Sequence, residues 1–259
     1  MKHILGYARK AINDFGMIKA GDKVAVGLSG GKDSILTLIT LAQLRKFYPE
    51  KFEVIAITLD MGVEGFDVTS LKKLCEEYDV EYIIEKTHIK EIVFDIRKEK
   101  NPCSLCANLR RGILYDTAKK YDCNKVALGH HMDDVMETFM MSLIYEGRVH
   151  TFLPITYLSR KDIYVIRPMI YTPESEIKHL VKKYGIEVVK NNCPANGETK
   201  RQYVKELIAG IAKENKGVRE SIFGAIMRSE EWRMLKEEWM EGTNEENYIW
   251  CFNKRDATY

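Results

Sequence analysis

The chain has 259 residues, 45% of them hydrophobic, and a formal net charge of +2, enough for one large domain or one domain with a smaller appendage. Its apolar runs are short and broken by charge, which argues against a membrane span. Ile4, Ala8, Ala11, Ile12 and Phe15 are helically spaced among charged residues and do not read as a secretory leader, so a soluble cytoplasmic protein is expected.

Residues 1–18 read as an amphipathic helix closed by Gly16 and Gly21. Alternating segments follow: strand 23–28, helix 33–47, strand 53–59, helix 67–78, strand 81–85, a short helix near 89–95, helix 104–121, strand 125–129 and helix 132–146. This spacing predicts an α/β fold with a doubly wound, mainly parallel sheet. A strand at 162–167 ends at Pro168, and Thr172-Pro173-Glu174 starts another helix. After Gly185 the reading gives a short strand, an irregular loop at 191–197 and a charged helical region over 198–241. The expected division is an N-terminal helix (1–20), an α/β domain (21–190), and a helical, charged C-terminal extension (191–259) that opens with the Cys193 loop.

The chemistry centres on Ser29-Gly30-Gly31-Lys32-Asp33-Ser34, between an apolar strand ending at Leu28 and a helix. Small residues let a ligand approach the backbone, and amides at a helix start favour an anion, most naturally phosphate. The order is not that of a Walker A loop, because Asp33 follows Lys32 and no Gly stands five residues before Gly31. The six residues resemble the PP-loop of the ATP pyrophosphatases, which implies cleavage of ATP between the α and β phosphates and activation of a carbonyl oxygen as an adenylate. Asp60, Gly129 and Asp134 fall at neighbouring strand ends, where such sheets bind ligands.

Cys103 and Cys106 are spaced as metal ligands at a helix start, where thiol pKa values fall. Alone, this pair is compatible with a redox dithiol, part of a zinc site or part of an iron–sulfur site. Cys193, in a polar loop, is the natural third partner; Cys75, Cys123 and Cys251 read as incidental thiols.

The runs Cys103-Ser104-Leu105-Cys106-Ala107-Asn108-Leu109-Arg110-Arg111, Leu128-Gly129-His130-His131-Met132-Asp133-Asp134 and Val165-Ile166-Arg167-Pro168 together resemble the tRNA 2-thiocytidine synthetases. The resemblance covers most of residues 1–230. It implies a [4Fe–4S] cluster on Cys103, Cys106 and Cys193, and an ATP site formed by Leu28, Ser29, Gly30, Gly31, Lys32, Asp33, Ser34, Leu59, Asp60, Gly129 and Asp134. It makes Asp133 an acid/base or nucleotide-positioning residue, and Asp134 a possible Mg²⁺ ligand. Arg110 is expected on the α-phosphate, and Arg111, Lys200 and Arg201 on RNA. His130 and His131 read as packing residues. The expected reaction is ATP- and cluster-dependent replacement of a pyrimidine C2 oxygen in tRNA by sulfur. Cytidine in the anticodon loop is the expected target, the donor is sulfide or a persulfide-donating protein, and a homodimer is expected by analogy. Formation of 2-thiouridine, removal of sulfur from thiolated bases and a non-catalytic RNA-binding module are the alternatives. The single cysteine near 193, where the cytidine branch commonly has two, leaves the nucleoside open.

Overall fold

A computed structural model of the chain describes residues 1–62, 66–97, 102–189 and 200–240, with side chains to Glu237. Cys193 and Cys251 lie outside the described residues.

Strand β1 (Lys23–Gly27) sits at the centre of a six-stranded sheet of order β3-β2-β1-β4-β6-β5. Its neighbours are β2 (Glu53–Asp60) and β4 (Lys125–Ala127), and both pair with it in parallel. Beyond them lie β3 (Glu81–Lys86) and β6 (Ile163–Ile166), also parallel. Val24, Ala25 and Val26 are fully buried, as a central strand covered on both faces requires. From β1 the chain builds outward to β2 and β3, then returns to lay β4 and β6 on the other side. The order therefore reverses between β1 and β4, and such a switch point opens a crevice at the strand ends.

The expected doubly wound class is correct. Val24, Val26, Val54 and Ala56 face a core shared with α1 (Lys2–Asp14), α2 (Lys32–Leu44), α3 (Thr69–Glu77), α5 (Met132–Met141) and α6 (Glu174–Tyr184). Ala25, Ile55, Ile57, Val126 and Val165 face Leu114, Tyr115 and Ala118 of α4 (Pro102–Lys120). The alternation is the two-residue period of a strand.

Three expectations need correction. Ile155–Leu158 forms β5, an antiparallel edge strand paired with β6, where no strand was expected. Residues 186–189 form no strand; instead the Val189 amide donates to the Gly30 carbonyl at 3.0 Å. The C-terminal helical region is broken into α7 (Lys200–Glu214), α8 (Val218–Met227) and α9 (Glu230–Met240). Asn215 and Gly217 make the first break, with the Asn215 side chain accepting from the Gly217 amide at 3.1 Å. Trp232 of α9 packs edge-on against Phe15, 5.8 Å between ring centres, so α9 shares one core with the N-terminal segment. Among the described residues no helix is long and apolar enough to cross a membrane.

Candidate nucleotide and thiolation site

A cavity of about 620 Å³ opens at the switch point, within the size range of small-molecule sites. One wall is the PP-loop: Leu28, Ser29, Gly31, Asp33 and Ser34. Ile57, Leu59, Met61 and Phe66 make an apolar wall at the end of β2, suited to a nucleobase. Gly129, His130 and Asp134 close the β4 side, Arg167 stands at the end of β6, and Ala107, Arg110, Arg111 and Tyr115 of α4 cover the top.

The PP-loop is held by its own side chains. Ser34 Oγ donates to the Gly31 carbonyl at 2.9 Å and accepts from the Ser29 amide at 3.2 Å. Thr37 ties the next turn down through the Asp33 carbonyl at 2.7 Å. The first-turn amides of α2 have no intrahelical acceptor, as at any helix start, so they offer an anion-binding end beside the cavity. Gly30 has φ +81°, and a Cβ there would stand 2.7 Å from the Val189 side chain. Gly129 has no room at all: a Cβ would meet Asp33 and Ser34 backbone atoms at 2.8–3.0 Å. Strand β4 thus packs directly against the start of α2.

Lys32 turns out of the cavity. Its ammonium lies 2.8 Å from Asp33 and 3.2 Å from Glu174. Burial pulls its pKa down, but the two carboxylates outweigh that and leave it raised. Glu174 also meets Lys178 at 3.0 Å and Lys205 at 2.8 Å. Burial alone pushes its carboxyl up, yet the three ammonium groups hold it down at about 2.

The aspartates divide differently from expectation. Asp134 faces the cavity, and its carboxylate accepts from the His131 amide at 3.0 Å at the start of α5. Asp133 does not line this cavity. It is buried behind α5, where it accepts from the Glu174 amide at 2.7 Å and pairs with Arg219 of α8. Successive residues of a helix point about 100° apart, and of the pair only Asp134 reaches the cavity. Asp133, expected as an acid/base or nucleotide-positioning residue, thus stands outside the cavity and joins α5, α6 and α8. Arg219 carried no sequence signal, because its partner is 86 positions away.

Asp60 does not line the cavity either; its carboxylate accepts from the Gly62 amide at 2.9 Å and shapes a turn. Arg201, expected on RNA, is partly exposed and lies 3.4 Å from Asp134, 3.2 Å from Glu137 and 3.1 Å from Thr138. Lys200 is exposed and its ammonium lies 4.6 Å from the Tyr145 ring centre. Arg110 and Arg111 both reach the cavity.

Cys103 is exposed and Cys106 half-buried in the first two turns of α4, Cys106 immediately before cavity-lining Ala107. Two thiols one helical turn apart at the rim suit a thiophilic iron cluster. Val189, also in the lining, precedes Cys193 by four residues in sequence. Burial pushes the Cys75 and Cys123 thiols up to about 12 and about 11, so neither is a ready thiolate ligand. The Asp33 and Asp134 carboxylates both line the cavity and are the hard oxygen donors a Mg²⁺ ion would use there, with Asp33 also pairing with Lys32.

The sequence profile of the PP-loop domain family matches residues 4–210. The tRNA-cytidine(32) 2-sulfurtransferase of Geobacter sulfurreducens is 36% identical over 228 residues, covering 87% of this chain and 89% of the relative. That of Citrifermentans bemidjiense is 37% identical over 220 residues, covering 84% and 86%. Among solved structures, the U34-tRNA thiolase NcsA from Methanococcus maripaludis with its [4Fe–4S] cluster superposes with TM-score 0.72 at 30% identity, over 91% of this chain and 78% of the other.

Proposed function

We propose that this chain, which belongs to the PP-loop family and within it to the tRNA-cytidine(32) 2-sulfurtransferases, uses ATP to exchange the C2 oxygen of a tRNA cytidine for sulfur. The observation that carries the proposal is one cavity joining three features: a PP-loop, an apolar base wall, and a helix whose first two turns bear Cys103 and Cys106.

ATP lies with its adenine against Ile57 and Leu59 and its phosphates on the amides at the start of α2. Asp33 and Asp134 would hold Mg²⁺, which when bound offsets the phosphate charge, and Arg110 faces the charge that develops at the α-phosphate. The base O2 attacks the α-phosphorus, pyrophosphate leaves, and C2 becomes electrophilic. Sulfide adds at C2, and AMP departs with the former O2. Cys103, Cys106 and Cys193 would hold the [4Fe–4S] cluster, which when bound supplies an iron with an open position for sulfide. The target lies in an unpaired loop, where a base reaches a pocket without melting a duplex. Arg111 and Lys200 contact the RNA backbone. The proposal extends to a cytoplasmic homodimer that takes its sulfur from sulfide or a persulfide-donating protein.

Pyrophosphate release measured with and without unmodified tRNA tests this reading. Release that requires tRNA is expected; ATP turnover indifferent to tRNA would overturn it.

A further inference from the structure

Arg167 is the least explained side chain in the cavity. It follows β6, two strands from the PP-loop across β4, which places it on the order of 10 Å from the phosphate cradle at about 4.8 Å per strand. Nη1 donates to the Leu153 carbonyl at 2.7 Å and lies 3.4 Å from Thr156 Oγ1. Nε is buried without an acceptor, and no carboxylate pairs with the guanidinium among the described residues. Burial, with Arg111 nearby, lowers its pKa to about 10, so it remains a cation at neutral pH. A half-buried cation whose Nε is buried without a partner is costly to hold in place, and a ligand in the cavity it lines would complete it.

The surroundings indicate what the ligand is. The guanidinium lies 5.0 Å from the Phe152 ring centre, and the same ring lies 4.8 Å from that of His130. Tyr115 lines the cavity close by. Burial and the neighbouring cations push His130 down to about 3, so it is a neutral ring at working pH, and its Nδ1 is buried without a partner. Flat rings, a neutral imidazole and a planar donor form a setting for a base. The phosphates and adenine already have their places at β1 and β2.

We propose that Arg167 and His130 form the subsite for the acceptor base, with the unpaired edge of Arg167 reading O2 and N3 of cytosine. This rests on the thiolation reading above. Cytosine presents two adjacent acceptors on that edge, whereas uracil presents an acceptor and an N3–H donor. A planar two-donor edge therefore favours cytosine and leaves a donor facing a donor with uracil. The subsite thus sets nucleoside choice as well as orientation.

The test uses cluster-reconstituted protein with ATP, sulfide and tRNA transcripts carrying C or U at the target position, read as kcat/KM for each thionucleoside by mass spectrometry. Wild type is expected to prefer cytidine, and Arg167→Gln to reduce that preference about 10- to 100-fold, mostly through cytidine. Affinity for a non-hydrolysable ATP analogue should be unchanged, which also verifies folding. Arg167→Lys keeps the charge but loses the planar edge, and should fail similarly. Wild-type protein acting on 3-deazacytidine tRNA, which lacks the N3 acceptor, probes the same contact without a variant and should show a comparable loss. An unchanged C-over-U preference in both variants, full activity on 3-deazacytidine, or ATP-analogue binding that falls with Arg167 overturns the proposal. A wild type that makes neither thionucleoside overturns the thiolation reading, and this subsite with it.

Discussion

Replacing Gly129 with Ala tests the packing that builds the site. The added methyl would stand 2.8 Å from the Asp33 carbonyl carbon and 2.9 Å from the Ser34 amide nitrogen. Both are backbone atoms at the start of α2, so no side chain can rotate away. Restoring an ordinary contact requires β4 and the PP-loop to separate by about half an ångström, and such overpacking costs about 1–3 kcal/mol. For a chain of this size that lowers Tm by roughly 2–12 °C. The same shift moves the phosphate-binding amides, and misplacement of this order costs up to about 100-fold in a positioned reaction. Calorimetric titration with a non-hydrolysable ATP analogue, beside thermal melts, reads both effects. Gly210→Ala is the control: Gly210 lies inside α7 with nothing within 4 Å of its added Cβ, and Ala there should stabilise by about 0.5–1 kcal/mol. A Gly129→Ala protein with wild-type Tm and wild-type ATP affinity would refute the argument.

The two aspartates should separate by phenotype. Asp134→Asn is expected to weaken Mg²⁺-dependent ATP binding with little change in Tm, whereas Asp133→Asn removes the carboxylate partner of half-buried Arg219 and should cost about 1–3 kcal/mol in melts; the opposite pattern would restore Asp133 to the chemistry. Glu174, held at about 2 by Lys205, Lys178 and Lys32, adds stability above its ordinary pKa near 4.5 and loses it as pH falls toward 2, an effect of about 1–2 kcal/mol once the partly exposed lysines are discounted. Glu174→Gln should flatten Tm against pH in that window, and an unaltered profile would contradict the ion-pair account. Cys103→Ala and Cys106→Ala should each deplete cluster iron and its visible absorption while leaving ATP-analogue binding intact, because neither thiol lines the nucleotide cavity; retention of the full spectrum would remove that cysteine from the ligand set.

Much of the fold was legible because strand and helix periods alternate cleanly from Lys23 to Met141, and because the PP-loop sits where a strand ends. The antiparallel β5 was missed, although Ile155-Thr156-Tyr157-Leu158 and Ile163-Tyr164-Val165-Ile166 flank four polar residues, a hairpin signal. Asn215-Lys216-Gly217 likewise marked the end of α7. The PP-loop, Leu59, Gly129, Arg110 and Arg111 were placed by local motif alone. The division of labour between Asp133 and Asp134 was not readable, because it depends on which way α5 rotates against α6 and α8. Nor was the pairing of Arg201 with Glu137 and Asp134, more than 60 positions away. His130 read as a packing residue because its isolation among cations arises only when β4 and β6 pair.

The most direct measurement of the central claim is nucleoside mass spectrometry of unmodified tRNA after anaerobic incubation with the cluster-reconstituted protein, ATP, Mg²⁺ and sulfide. The account predicts 2-thiocytidine that appears only with ATP. An intact cluster and bound ATP with no thionucleoside formed would contradict it.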